Sequence, residues 1–314
     1  MTRPDDEDPA DTRDDAFDPD WLALREPYDA LARSEALAAA LIARLPARPR
    51  LIDLGAGTGS LLRWLAPRIG RAQAWTLVDS DRALMEEAFD TIAGRAEAIG
   101  LKATMPNRRT LLVHARGGAW RVEALHADLA EAPRNLPLQG ADAVLCSALC
   151  DLVSAAWIER MAAALRVPFY AALSVDGRDR FWPPHPADGA VARAFRRDQA
   201  RDKGFGGPAL GPAAPAAIAR AFAARGFMVR SAASDWVARA RGGRFLDVPI
   251  PPGHATGFLR YVVLGHVAAA RQPMRGRGGL TGWGLARLEQ VDARRLSVRI
   301  GHRDVLALPP ERRR

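Results

Sequence analysis

Residues 51–59 read Leu-Ile-Asp-Leu-Gly-Ala-Gly-Thr-Gly, and the rest of the chain is read around them. Leu51-Ile52-Asp53-Leu54 is a short, mostly apolar run, the pattern of a buried parallel strand. Gly55, Gly57 and Gly59 alternate through a turn, and Ser60 to Ile69 then sets Leu61, Leu62, Leu65 and Ile69 at helical spacing. The unit is strand, glycine turn, helix. Such a turn lets a ligand lie against bare backbone at the mouth of a sheet, beside the positive end of a helix.

Spacing narrows the ligand. Dinucleotide enzymes usually place their glycines as G-x-G-x-x-G. Here the pattern is Gly55-x-Gly57-x-Gly59, with Asp53 two residues before the first glycine. This resembles motif I of the S-adenosyl-L-methionine-dependent methyltransferases with a Rossmann-like fold, the class I family. A purely structural turn and a nicotinamide or flavin site are the competing readings. The resemblance implies that the loop, including Ala56, packs against the methionine part of the cofactor and that Asp53 helps hold its amino group.

Two more acids match the family. Ala74 to Asp79 reads as the second strand and ends on a carboxylate, which can accept from both hydroxyls of a ribose. Ser80 and Asp81 compete to cap the next helix, whose apolar face carries Leu84, Met85, Ala88, Phe89 and Ile92. Residues 100–110 are polar and basic and read as a loop. Thr110–His114 and Trp120–His126 flank Arg116-Gly117-Gly118 and read as a hairpin. Its second strand is the third parallel strand and its first an added edge strand. Asp128, just beyond, faces the adenine by resemblance, with Leu129 beside it; an ordinary loop acid is the alternative.

The fourth strand is Ala141–Ser147, and the segment Ser147-Ala148-Leu149-Cys150-Asp151-Leu152-Val153 follows it. In the fold implied, this segment lies where the strand order reverses and ligands bind. It resembles a subset of small-molecule methyltransferases and lacks the Asn/Asp-Pro-Pro-Tyr signature of amino methyltransferases acting on nucleobases or glutamine. Ser147 is thereby a cofactor contact. Asp151 binds substrate or accepts a proton, or caps the helix 154–166.

Composition sets limits. The chain has 314 residues, 48% of them hydrophobic, enough for one large core with insertions. Residues 1–20 hold nine acids against Arg3 and Arg13, a net of −7; with +9 overall, residues 21–314 carry +16. Only Lys102 and Lys203 are lysines, and the arginines are scattered through predicted helices. That reads as composition bias more than as a nucleic-acid surface. Cys146 and Cys150 match neither a zinc knuckle nor a C-x-x-C redox pair, and the six histidines form no metal pattern. With no apolar leader and no membrane-length stretch, the expectation is a cytoplasmic protein without metal.

The domain reading is a disordered acidic tail (1–17), an N-terminal helical cap (18–48), a methyltransferase domain (49–306) with insertion 177–211 as a substrate lid, and a basic C-terminal tail (307–314). Pro27 is expected to divide the cap into short helices. Arg25, Tyr28 and Arg33 in the cap, and His185 in the insertion, are candidate pocket residues by analogy with caps and lids of that family; ordinary packing or surface positions are the alternative. The fifth strand is expected over 167–174, the sixth over 227–238 with Asp235-Trp236 breaking its alternation, and the seventh, antiparallel, over 296–301. Residues 276–284 read as flexible and 285–294 as a short helix. His302-Arg303-Asp304 reads as structural, since no serine or cysteine nucleophile accompanies it.

The fold class expected is therefore α/β, a Rossmann-like doubly wound, mostly parallel seven-stranded sheet. The resemblance implies an enzyme that transfers a methyl group from S-adenosyl-L-methionine to a small-molecule acceptor. An RNA methyltransferase, or a non-catalytic cofactor-binding protein of the same fold, is the alternative.

Overall fold

The structure is a computed structural model and describes residues 18–245, 248–271 and 279–310. The expectations for 1–17, 276–278 and 311–314 lie outside these residues. In chain order come α1 (Pro19–Ala32), α2 (Glu35–Ile42), β1 (Arg50–Leu54), α3 (Ser60–Ile69), β2 (Gln73–Asp79) and α4 (Arg82–Ala98). Next are β3 (Lys102–Asn107), β4 (Thr110–Ala115), β5 (Gly118–His126), β6 (Ala143–Ser147), α5 (Ala155–Ala164), β7 (Phe169–Val175), β8 (Arg180–Trp182), α6 (Asp188–Gln199) and α7 (Ala214–Ala223). The chain ends with β9 (Met228–Ala233), β10 (Trp236–Arg239), β11 (Gly243–Phe245), β12 (Val248–Ile250), α8 (Pro252–Arg271), α9 (Gly279–Asp292), β13 (Ser297–Ile300) and β14 (His302–Leu308).

The main sheet has nine strands in the order β3-β4-β5-β2-β1-β6-β7-β14-β9. β1 pairs in parallel with β2 on one side and β6 on the other, so the order reverses at β1. β14 runs antiparallel between β7 and β9. Register brings the carboxyl ends level: Leu54 lies beside Val78 and Cys146, and Asp79 beside His126.

Alternation along β1 sends Leu51 to one face, with α2, α3 and α4, and Ile52 and Leu54 to the other, with α5 and α7. Asp53 shares the face of Leu51, so a carboxylate stands where the pattern otherwise places core. Trp75, Leu62 and Leu65 fill the first face and Trp157, Phe169 and Phe222 the second, all buried. Each such side chain contributes roughly 1.5–3 kcal/mol of burial.

A third core stands apart from the sheet. Tyr28, Phe181, Trp236, Phe258, Trp283 and Val298 meet there, drawn from α1, β8, β10, α8, α9 and β13. Its small sheet has the order β10-β13-β8. The N-terminal cap is therefore not a separate layer; its first helix is packed with the C-terminal third of the chain.

Several expectations are corrected. Beyond the seven strands expected and the added edge strand β4, Lys102–Asn107 pairs with β4 as a further edge strand, which brings the main sheet to nine among the described residues. The side chains of β3 are largely exposed, so a polar stretch read as loop takes its order mainly from backbone pairing, with Ala103 against the core and Thr104 bonded to His114. The antiparallel strand between β7 and β9 is His302–Leu308, while Ser297–Ile300 belongs to the small sheet. Ala307 and Leu308, expected in a basic tail, are buried in β14. The sixth strand stops at Ala233; the break at Asp235-Trp236 is where the chain leaves the main sheet for β10. α1 runs unbroken through Pro27, anchored by buried Arg25, Tyr28 and Asp29. Residues 279–284 are helical, continuous with the segment read as helix from 285.

Candidate functional site

A cavity of about 700 Å³ opens where the strand order reverses. Its floor is the glycine turn. Gly55, Gly57 and Gly59 all have positive φ, +62°, +51° and +80°. Gly59 is also the residue before α3, and a Cβ there would stand 2.9 Å from Ile92 Cδ1. The positive φ favours glycine here, and a Cβ would also press on the movable end of the Ile92 side chain.

Asp53, Gly55, Ala56, Gly57, Asp79, Ser80, Asp128, Leu129 and Ser147 all line this cavity, as does Arg25. Gly59 shapes the turn without lining it. Asp79 is tied to the turn: its Oδ2 accepts from Gly57 N–H at 2.8 Å and its Oδ1 from Asp81 N–H at 3.1 Å. Each oxygen retains a lone pair for a further donor. The cap of α4 is Asp81, which accepts from Ala83 and Leu84 N–H, so Asp79 is spared that role. Asp128 Oδ1 accepts from Ala130 N–H at 2.8 Å. The rest of its carboxylate has no bond to a described residue.

Asp53 differs from the other acids. It is 1% exposed, and neither carboxylate oxygen has a hydrogen-bond partner among the described residues. Burial pushes its carboxyl up to about 8, with nearby Arg33 opposing the rise and Asp79 adding to it. A buried carboxylate without donors is costly, and a cationic donor placed in the cavity would relieve that cost. The ammonium of S-adenosyl-L-methionine has that chemistry, so these residues fit the cofactor.

Arg33 lies behind the floor. Its side chain is fully buried, and Nη2 donates to Ser60 Oγ and Ser147 Oγ, both at 3.0 Å. It thus joins the ends of α1, α3 and β6. Arg25 faces the cavity but is held by Asp29, Nε to Oδ2 at 3.0 Å, and Asp29 Oδ1 accepts from Trp236 Nε1 at 2.9 Å. The loop after β6 turns on Ala148, a non-glycine residue at φ +53°, which presents Ser147 and Leu149 to the cavity.

Three candidates lie elsewhere. Tyr28 is 2% exposed, its ring 3.9 Å from that of Phe258 in the third core, and does not line the cavity. His185 sits at the start of α6, where Nδ1 accepts from Ala187 N–H at 3.1 Å and its own N–H donates to Asp188 Oδ2. Asp151 does not cap α5, since Ser154 Oγ accepts from Trp157 N–H there. Asp151 is half-buried, with Oδ1 enclosed and unpartnered, and burial pushes its carboxyl up to about 6. It stands behind the cavity wall and not on it.

Sequence reasoning missed Leu22 and Asp29 of α1 and Lys203, Gly204 and Phe205 of the insertion, all of which line the cavity. The amphipathic spacing of 21–31 was a signal for Leu22. Residues 203–205 fall in the insertion expected as a lid, but nothing singled them out within it. Cys146 and Cys150 are free, buried and 3.4 Å apart at sulfur. Their thiols share one hydrogen bond, which together with burial pushes that of Cys146 well above the usual range. His302-Arg303-Asp304 is spread along β14, and Asp304 accepts from Tyr170 Oη (2.7 Å), Leu173 N–H (2.9 Å) and Ser34 N–H (2.8 Å); none of the three lines the cavity. Among the described residues no group of His, Cys, Asp and Glu could hold a metal ion, and no helix is long and apolar enough to cross a membrane.

No protein-family model and no curated protein matches the chain. Among solved structures it is similar to a geranyl diphosphate methyltransferase in complex with S-adenosyl-L-methionine, at TM-score 0.39 and 11% identity, over 88% of this chain and 85% of that one. It is similar to geranyl diphosphate C-methyltransferase from Streptomyces coelicolor A3(2), at TM-score 0.39 and 11% identity, over 88% and 80%. A third is phospholethanolamine N-methyltransferase 2 from Haemonchus contortus, at TM-score 0.38 and 12% identity, over 88% and 54%. All are distant likenesses. The sheet order, with its reversal at β1 and an antiparallel strand between β7 and β9, makes this a Rossmann-like, doubly wound α/β fold.

Proposed function

We propose that the chain is an S-adenosyl-L-methionine-dependent methyltransferase acting on a small-molecule acceptor. The observation that carries this is Asp53, a buried carboxylate with both oxygens unpartnered, on the cavity floor beneath a turn of three positive-φ glycines. When bound, the cofactor supplies an electrophilic methyl group on sulfur. Asp53 would hold its ammonium, Asp79 its ribose hydroxyls and Asp128 the adenine amine. These residues bind and orient; the glycine turn brings backbone close, and α1 with the 203–205 segment excludes water from the opposite side. The roof of helix and insertion supports a compact acceptor over a base within a polymer.

Calorimetry with S-adenosyl-L-methionine, S-adenosylhomocysteine and NAD tests the donor. Binding of NAD and of neither sulfur nucleoside would end the reading. Transfer of labelled methyl groups into a cell extract, with and without ribonuclease, tests the rest. Label in a ribonuclease-resistant, low-mass fraction is expected; label lost to ribonuclease means an RNA acceptor, and no label means a binder.

A further inference from the structure

The charged side chains around the cavity can be sorted by what satisfies them. Arg25 and Asp29 bind each other, and Asp81 caps α4. Asp53, Asp79 and Asp128 are used by the proposed donor site. Lys203, one of the two lysines of the chain, remains. It lines the cavity half-buried and forms no ion pair or side-chain hydrogen bond with any described residue.

Lys203 is carried on a fixed wall. Gly204 N–H donates to Asp202 Oδ1 at 2.8 Å, and Asp202 bridges Pro208. Phe205 C=O accepts from Ser154 Oγ at 2.9 Å, and its ring meets Trp157 edge-on with centroids 6.3 Å apart. Leu210 N–H donates to Val153 C=O at 2.9 Å, and Gly211 N–H to Asp151 C=O at 2.8 Å. The insertion is therefore stitched to the loop after β6, the same loop that presents Leu149 and Leu152 to the cavity. Phe205, two residues on, lines the same cavity, and Leu22, Leu149 and Leu152 give that cavity further apolar wall.

We propose that the acceptor is a small anion, a carboxylate or phosphate on an apolar body, with its charge held by Lys203. This rests on the methyl-donor reading of the rest of the cavity. An unpaired ammonium beside apolar walls favours an anion over a neutral group of the same shape, because the contact is charge-assisted and partly removed from water. The wall is already held in place, so little ordering is needed on binding. The acidic floor repels a second anion and orients the ligand with its charge toward Lys203.

The test uses the full chain loaded with S-adenosylhomocysteine and titrated with benzoate and phenyl phosphate, against benzamide and benzyl alcohol as neutral counterparts. One or both anions should bind at least about tenfold tighter than their neutral counterparts, the scale of one charge-assisted contact; which anion does so separates carboxylate from phosphate. Lys203→Met should remove that preference, Lys203→Arg should retain much of it, and both variants should bind S-adenosylhomocysteine within about twofold of the parent. Equal binding of anions and neutral counterparts, no anion binding, or anion binding unchanged in Lys203→Met overturns the proposal while leaving the donor site standing. Failure of the parent to bind S-adenosylhomocysteine removes the donor site and this proposal with it.

Discussion

Replacing Asp53 by asparagine removes one charge with almost no change of shape. In the protein without cofactor, burial raises this carboxyl from 3.8 to about 8. Below about pH 4 both folded and unfolded chains hold the proton, and the carboxyl costs nothing. As pH rises toward 8 the unfolded chain releases its proton and the folded chain keeps it, so stability falls; above 8 the cost is constant. At about 1.4 kcal/mol for each tenfold change in proton affinity, the full cost is roughly 6 kcal/mol as an upper limit. Asparagine does not titrate and escapes it. Its amide also needs partners, but that term is independent of pH. Urea unfolding of parent and Asp53→Asn, both without cofactor, should give a difference that grows in favour of the variant from pH 4.5 to 8. The cofactor's ammonium requires Asp53 ionised, so binding to the parent at pH 7 should release about 0.9 proton. Calorimetry in phosphate and in Tris measures this, and Asp53→Asn should release none while binding at least about tenfold more weakly. A stability difference flat in pH, together with binding enthalpies that do not depend on buffer, would refute the reasoning.

Asp79→Ala should weaken S-adenosylhomocysteine binding by ~1.5–3 kcal/mol in calorimetry, and unchanged affinity removes the ribose contact. Gly59→Ala should destabilise the fold by ~1–3 kcal/mol in urea unfolding. Gly226→Ala, at nearly the same φ (+79°) but with nothing near the added Cβ, serves as the comparison, and the excess at Gly59 reports the contact with Ile92. Asp304→Ala should cost ~3–5 kcal/mol, because two buried donors and a half-buried one lose their acceptor, with Asp304→Asn costing less. If Asp304→Ala keeps its melting temperature and loses only activity, its structural role is wrong.

The cavity floor was legible because each of its parts is local. Strand, turn and helix occupy adjacent residues, and Asp53, Asp79 and Asp128 each stand at or just after the end of a strand visible in the apolar pattern. The strands after Ala233 were harder. Ser297–Ile300 and His302–Leu308 are both short apolar runs, separated by Gly301 alone. Nothing local tells which enters the main sheet; β7 and β9 decide it by pairing with β14. Tyr28 shows the same limit from the other side. Its position on a cap helix suggested the pocket, but Phe258, 230 residues away in sequence, draws its ring into a separate core. The insertion that carries Lys203 was expected as a substrate lid, but nothing singled out the lysine within it until hydrogen bonds to 151–154 place its loop at the cavity. Pro27 was overread as a helix breaker, because the burial that carries α1 past it is tertiary.

The third core also governs the order in which the site can be completed. The residues of the cavity floor, 50–147, form a contiguous stretch that pairs within itself, so a floor can assemble once those residues have left the ribosome. α1 precedes the floor in the chain, yet its apolar partners, Trp236 and Phe258, come more than 200 residues later. Until then Trp21 and Tyr28 have nothing to stack on. Closing a loop of that length is slow relative to local pairing. α1 thus docks later than the floor although it precedes the floor in the chain, and the nascent chain holds an open glycine floor before it has a roof.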